Sequence, residues 1–190
     1  IKRNLIAPGD VDERSILDVR PSDLIGYNQC HFFAGIGGWS YALRLAGWDD
    51  DREVFTGSCP CQSLSTAGKG GMHTDDWRKL RAGAENPVTD DRHLWPAFAR
   101  LIEARKPAAV FGEQVGKRAG LDWLTAVRAD LEDFGYACGG VDLPACSVGA
   151  PHIRQRIFWV GVRGSDVRVA DSAGQRHNGI GLLQRAERSA

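Results

Sequence analysis

A short apolar run that ends in a glycine-rich turn and then becomes helical constrains the fold of this chain most. The run at residues 30–33 reads Cys-His-Phe-Phe, and Ala-Gly-Ile-Gly-Gly follows at 34–38. A helical pattern covers residues 39–46, and Gly47 is placed to end it. This order predicts a buried strand, a tight turn and an amphipathic helix. Glycines at such a turn let the backbone approach a ligand at a helix N-terminus.

Strands and helices continue to alternate along the rest of the chain. Four more short apolar runs predict strands, and they lie at residues 54–56, 108–111, 136–141 and 157–162. Helical periods lie between them, from His93 to Pro107 and again from Leu121 to Leu131. The alternation predicts an α/β fold with a mainly parallel sheet. Ligands bind such sheets at the carboxyl ends of the strands, where we expect residues 34–38, 58–62 and 112–115.

Composition excludes several classes of protein. The chain has 190 residues, with 24 Lys+Arg balanced by 24 Asp+Glu, so any nucleic-acid binding must come from a local basic face. No apolar run approaches the roughly twenty residues of a membrane span. Five cysteines at uneven spacings do not indicate a disulfide framework, so we expect a reducing, cytoplasmic location. Because the chain begins with Ile1 and ends in a polar tract, we expect a piece of a longer protein.

The segment Cys59-Pro60-Cys61-Gln62 follows the second predicted strand. Structural zinc sites normally use wider cysteine spacing and a second pair, so we predict no metal. A buried cysteine without a chemical role is one interpretation. A nucleophile between a strand end and the long polar loop of residues 63–92 is the other, and Cys61 lies on the loop side.

Charged side chains close to two other predicted strands are candidates for the same site. Glu113 follows the strand at 108–111, where a carboxylate either stabilises a helix N-terminus or faces a pocket. His152, Arg154 and Arg156 alternate, so in an extended segment all three point to one face. They are either surface charges or part of the site, because they lead directly into an apolar strand.

Together these segments resemble the ordered motifs of the DNA (cytosine-5)-methyltransferases over roughly residues 29–163. The matches are the turn at 33–38, the Pro-Cys-Gln at 60–62, Glu113-Gln114-Val115 and the Arg-x-Arg at 154–156. The resemblance implies a Rossmann-like methyltransferase sheet, shortened after the first helix, and S-adenosylmethionine as cofactor. It implies that Cys61 is the nucleophile, that Glu113, Arg154 and Arg156 act on the base, and that double-stranded DNA is the substrate. The cofactor would contact Phe33, Ala34, Gly35, Ile36, Gly37, Gly38 and Pro60.

The resemblance also implies a mobile loop that closes over DNA, whose cations are Lys69, Arg78, Lys79, Arg81 and Arg92. Three positions depart from the family pattern: Gln114 stands for Asn, His152 for Gln and Leu64 for Phe. Between Gly38 and Pro60 the family fits two further strands and an acidic ribose ligand. Only Asp49, Asp50 and Asp51 are available in that gap, and none can be assigned.

We therefore expect a polar N-terminal segment at 1–28, a catalytic domain at 29–163 and a polar tail at 164–190 that begins a recognition region. We expect neither a membrane segment nor an obligate protein partner. Two alternatives remain open: a catalytically degenerate remnant of the same fold, and a nicotinamide or flavin oxidoreductase that uses the glycine turn. The oxidoreductase interpretation needs an acid about twenty residues after the turn and leaves Pro-Cys-Gln unexplained. RNA in place of DNA is a variant of the first hypothesis.

Overall fold

The structure, a computed structural model, describes residues 5–60, 94–116 and 118–164. Short 3₁₀ helices cover Pro21–Leu24 and Ala145–Val148. The strands and α helices, in chain order, are β1 (Gln29–Phe32), α1 (Gly38–Leu45), β2 (Val54–Gly57), α2 (Trp95–Arg105), β3 (Ala109–Val115), α3 (Arg118–Asp133), β4 (Tyr136–Pro144) and β5 (Gln155–Arg163). Among these residues no helix is both long and apolar enough to cross a bilayer.

The five described strands form one sheet in the order β1-β2-β3-β5-β4. β1, β2 and β3 are parallel, whereas β5 runs antiparallel to both of its neighbours. The predicted α/β fold with a mainly parallel sheet is confirmed, since four strands share one direction. The sheet is also short after the first helix, because the chain passes from α1 to β2, which pairs directly with β1.

One predicted strand boundary is wrong. The sequence pattern ended the third strand at residue 111 and placed Glu113 beyond it, but β3 continues to Val115. Glu113 pairs with Phe158 of β5, and Gln114 pairs with Ile157. Backbone pairing with β5 therefore extends the strand through residues whose polarity had suggested its end.

The main core lies on one face of the sheet, under α2 and α3. Trp95 of α2 is 1% exposed and contacts three aromatic rings edge-on, those of Phe98, Trp123 and Trp159, at centroid distances of 5.8, 5.7 and 5.9 Å. α1 covers part of the opposite face, where Leu43 packs with Val54 and Ala109. The two layers fix the sheet, and with it the edge at which the motif residues lie.

The segment before β1 contributes to this core. Ile16, Val19 and Leu24 are buried and belong to the main cluster. The guanidinium of Arg100, on α2, donates a hydrogen bond of 2.8 Å to the carbonyl of Val19. The division at residue 29 remains a prediction, but residues 16–24 pack as part of the same body.

Candidate active site

The segments that the sequence singled out lie together at one edge of the sheet, meaning the rim formed by the carboxyl ends of β1, β2 and β3. β1, β2 and β3 end at this edge because they are parallel, and β5 begins there because it runs the other way. Val115, the last residue of β3, pairs with Arg156 near the start of β5. The glycine turn, residues 58–60, Glu113 and Arg156 consequently share one edge, as the carboxyl-end argument predicts.

Glu113 and Arg156 form an ion pair at this edge, between Nε of the arginine and Oε1 of the glutamate. The side chains are 25% and 21% exposed, respectively, so water reaches both only in part. Nη1 of Arg156 also donates a hydrogen bond of 2.8 Å to the carbonyl of Gln155. Within the part of the chain that the structure describes, Nη2 forms no hydrogen bond. The pair holds a carboxylate and a guanidinium side by side.

Gln114, a departure from the family pattern, faces the other way. Neighbouring residues of a strand alternate between faces. Gln114 therefore points toward the face covered by α2 and α3, where it is 2% exposed. Its Oε1 accepts a hydrogen bond of 3.0 Å from the backbone N–H of Val115. Gln114 therefore lies on the core side of β3, opposite the face that carries Glu113.

The expectation that His152, Arg154 and Arg156 share one face stays a prediction. β5 begins at Gln155, so His152 and Arg154 precede the strand and only Arg156 lies within it. Arg154 is exposed, and its carbonyl accepts a hydrogen bond of 3.1 Å from Ala145. Within the described ranges no ion pair joins Arg154 to Glu113, and its role in catalysis remains a prediction.

The turn between β1 and α1 has an unusual backbone. Phe33, Gly35 and Gly37 have φ angles of 56°, 54° and 83°, in the left-handed region, and Gly37 precedes α1 as its N-cap. A Cβ added at Gly35 or Gly38 would meet nothing within 4 Å, and Ile36 is fully exposed. The turn thus presents bare backbone next to the free N–H groups of a helix N-terminus, which suits an anionic ligand group.

The segment after β2 distinguishes the two candidate cysteines. Cys59 is 5% exposed and belongs to the main core cluster. Burial raises the pKa of its thiol and shields it from solvent, whereas a reactive cysteine is accessible and readily deprotonated. Pro60, which follows, is exposed. Cys61, the next cysteine along the chain, and the predicted basic loop at 63–92 lie outside the described residues.

The three acids considered as ribose ligands lie at the far edge of the sheet. The Nε2 of Gln29, at the start of β1, donates a hydrogen bond of 3.0 Å to the carbonyl of Asp49. Asp50 forms an ion pair with Arg44 near the end of α1. Asp49, Asp50 and Asp51 are consequently separated from the glycine turn by the length of α1.

Sequence reasoning missed an aromatic group beside the ion pair. The ring of Trp39 contacts those of Phe111 and Phe158 on the face that carries Glu113. Phe158 pairs directly with Glu113 and is 39% exposed. Phe158 follows Arg156 by two positions along β5 and so lies on the same face of the sheet. This spacing was the signal that could have placed Phe158 at the site.

Known proteins match much of the chain. Residues 48–179 match the family model described as C-5 cytosine-specific DNA methylase. The chain is 32% identical over 128 residues to the type II methyltransferase M.AluI of Cellulosimicrobium cellulans, a match that covers 61% of this chain and 22% of that protein. It is 34% identical over 126 residues to the type II methyltransferase M.HgiDI of Herpetosiphon aurantiacus, covering 65% and 36%.

Among solved structures, the Dnmt2 methyltransferase of S. pombe superposes with a TM-score of 0.49 and 15% identity, over 71% of this chain and 50% of that one. The matched part of this chain spans about a fifth to a third of the length of the two curated relatives.

Proposed function

Because the chain belongs to the C-5 cytosine-specific DNA methylase family, we propose that it transfers a methyl group from S-adenosylmethionine to C5 of a cytosine flipped out of double-stranded DNA. The observation that carries the proposal is the Glu113–Arg156 ion pair at the sheet edge. It sets a hydrogen-bond acceptor beside a donor, which complements the amine and carbonyl edge of cytosine.

Cys61 supplies the covalent step. Cytosine C5 is a weak nucleophile. When a thiolate adds to C6, the C5–C6 double bond shifts to C4–C5 and the C4–N3 pair moves onto N3, which takes up a proton, so C5 becomes the nucleophilic carbon of an enamine. A bond forms between the sulfur of Cys61 and C6. When C5 later loses its proton, that bond breaks and the thiolate is released. Cys59 cannot take this role, because its thiol is buried.

Glu113 and Arg156 stabilise the ring while it carries this charge. The carboxylate of Glu113 accepts hydrogen bonds from the exocyclic amine and from N3 once N3 is protonated. The guanidinium of Arg156 donates to O2, through the nitrogen that has no recorded partner among the described residues. Preorganised groups of this kind act most strongly where charge develops in the transition state. Arg156 also favours the thiolate form of a nearby cysteine.

The glycine turn is the place for the cofactor. Its uncovered backbone at Gly35 and Gly38 leaves room for a ligand to lie against the chain, and the N-terminus of α1 suits the carboxylate of the methionine moiety. Phe33, Ala34, Gly35, Ile36, Gly37, Gly38 and Pro60 are the residues that hold it. S-adenosylmethionine, when bound, supplies the methyl group that the activated C5 attacks.

The substrate must leave the duplex to reach these residues, since C5 and C6 are stacked inside DNA. Flipping costs a few kcal/mol, and the cations of residues 63–92 contribute binding to the phosphates. Arg154, which is exposed close to the start of β5, is a further candidate for contact with the backbone or the base.

A mechanism-based trap tests the proposal. DNA containing 5-fluorocytosine cannot lose its C5 substituent as a proton, so it should leave a covalent adduct that peptide mapping locates at Cys61. Cys61→Ala should abolish both the adduct and methyl transfer from labelled S-adenosylmethionine to mixed-sequence DNA. Cys146→Ala, at an exposed cysteine of the 3₁₀ helix, is the matched control and should keep both.

Two outcomes would contradict the proposal. Methyl transfer that survives Cys61→Ala would reject the nucleophile assignment. A folded wild-type chain that binds cofactor or DNA but neither forms the adduct nor transfers methyl groups would instead identify a degenerate remnant. The oxidoreductase alternative has lost its support, because the acids at 49–51 lie at the opposite edge of the sheet from the glycine turn.

A further inference from the structure

Trp39 links three parts of the candidate site. It is the second residue of α1, directly after the glycine turn. Its indole N–H donates a hydrogen bond of 3.1 Å to Oγ of Ser58, and Ser58 precedes Cys61 by three positions. The start of the helix that follows the cofactor turn is thus bonded to the segment that leads to the proposed nucleophile.

The ring of Trp39 also rests on the two strands that carry the ion pair. Its centroid lies 6.3 Å from that of Phe111 and 6.3 Å from that of Phe158, the second contact being edge-on at 75°. Phe111 precedes Glu113 by two positions on the same face of β3, and Phe158 pairs directly with Glu113. One side chain of α1 therefore contacts the Ser58 segment and both strands of the Glu113–Arg156 pair.

We propose that Trp39 is a positioning residue that sets the distance between the cofactor turn, the Ser58 segment and the Glu113–Arg156 pair. Its catalytic consequence rests on the proposed function, since it concerns the geometry of methyl transfer. Ring packing alone would need only an apolar side chain, but a hydrogen bond to Ser58 needs an indole N–H. Small displacements of reacting groups are costly, and about 1 Å can lower a rate about a hundredfold.

The chain contains a matched control in Trp48. Its indole N–H donates a hydrogen bond of 3.2 Å to the carbonyl of Arg52, and its ring lies 5.6 Å from the same Phe111. It follows the end of α1 and precedes β2, so it lies toward the opposite edge of the sheet. Trp48→Phe therefore removes one indole hydrogen bond and replaces an indole by a smaller phenyl ring next to Phe111, and it leaves the Ser58 segment untouched.

The kinetic test compares Trp39→Phe, Ser58→Ala, the double variant and Trp48→Phe in the full chain. Each single change at the Trp39–Ser58 bond should lower kcat by about tenfold, with little change in KM for either substrate. The double variant should be no slower than the worse single variant, because both remove one bond. Trp48→Phe should keep kcat within about twofold. The inference would be overturned if the reduction in kcat of the double variant equalled the product of the two single reductions. It would also be overturned if Trp39→Phe and Trp48→Phe had equal kcat.

A second measurement needs no catalytic turnover. Amide hydrogen exchange of a peptide that spans residues 54–60 should become faster in Trp39→Phe and in Ser58→Ala, but not in Trp48→Phe. Unchanged exchange in Trp39→Phe would overturn the inference even if methylation proceeds. Absence of methyl transfer by the wild-type chain would instead overturn the proposed function, so the two failures are distinguishable.

Discussion

Replacing Glu113 by glutamine separates chemistry from stability at the site. The change removes one negative charge and keeps nearly the same shape, so the packing of β3 against β5 is preserved. What is lost is the ion pair with Arg156, whose two side chains are 21% and 25% exposed. A partly solvated pair of this kind contributes on the order of 1 kcal/mol once water and salt screen it.

That loss is too small to unfold the chain. The free energy of unfolding of a typical domain is about 5–15 kcal/mol. A loss of about 1 kcal/mol leaves more than about 99% of the molecules folded. The effect on catalysis is larger, because a group that stabilises developing charge in a transition state contributes about 100- to 1000-fold in kcat. Glu113→Gln should therefore lower kcat by about that factor while the urea unfolding midpoint shifts little.

Single-turnover methyl transfer at saturating DNA and S-adenosylmethionine measures the rate of the chemical step. An equilibrium DNA titration measures the binding affinity separately. We expect DNA affinity to change by less than about fivefold, since most of it comes from phosphate contacts. If the rate and the affinity fall by the same factor, Glu113 serves binding alone. If the rate stays within about threefold of wild type, the charge-stabilisation argument is refuted.

Two further predictions concern the fold that supports the site. Gly112→Ala should cost about 1–3 kcal/mol or more, because an added Cβ would lie 2.1 Å from Cζ2 of Trp159, whereas Gly9→Ala, with nothing within 4 Å, should leave the urea midpoint unchanged. Equal midpoints for the two variants would contradict this packing. Burial lowers the pKa of His31, so the unfolded chain binds more protons below about pH 6.5, and stability should fall as pH falls through that range. His31→Gln should lose less stability than wild type between about pH 7.5 and 5.5, and parallel losses in both proteins would rule out the histidine as the cause.

The sequence predicted most of what depends on local pattern. Short apolar runs and helical periods locate all five described strands and all three described α helices, and the carboxyl-end rule brings Glu113 near the glycine turn. The direction of β5 was not predictable in this way. A strand's neighbours in a sheet are distant in sequence, and the pairing of Gln114 with Ile157 extends β3 beyond its apolar part.

Two features lie beyond what local pattern can predict. Alternation places side chains on one face only where pairing pleats the backbone, and β5 begins at Gln155, one residue after Arg154. Ile16, Val19 and Leu24 are buried within a polar stretch whose spacing is too irregular to indicate a helix or a strand.

The position of the acids at 49–51, by contrast, could have been worked out. α1 has eight residues and therefore advances about 12 Å, which is enough to carry the chain back across a four-residue strand. Trp39 could not be assigned, because one aromatic residue in an amphipathic helix is most often core. Only the positions of Ser58, Phe111 and Phe158 around it give it a role.

The order of strands has a consequence for biosynthesis. β5, the last described strand to leave the ribosome, lies between β3 and β4, and β4 pairs with no other described strand. The first three strands can associate early, but the ion pair of Glu113 with Arg156 forms only after Arg156 has emerged. Truncated products that stop before residue 155 would carry the glycine turn and Cys61, yet lack the arginine that pairs with Glu113. Closure of the sheet thus coincides with formation of the Glu113–Arg156 pair, since the same nine residues supply the strand and Arg156.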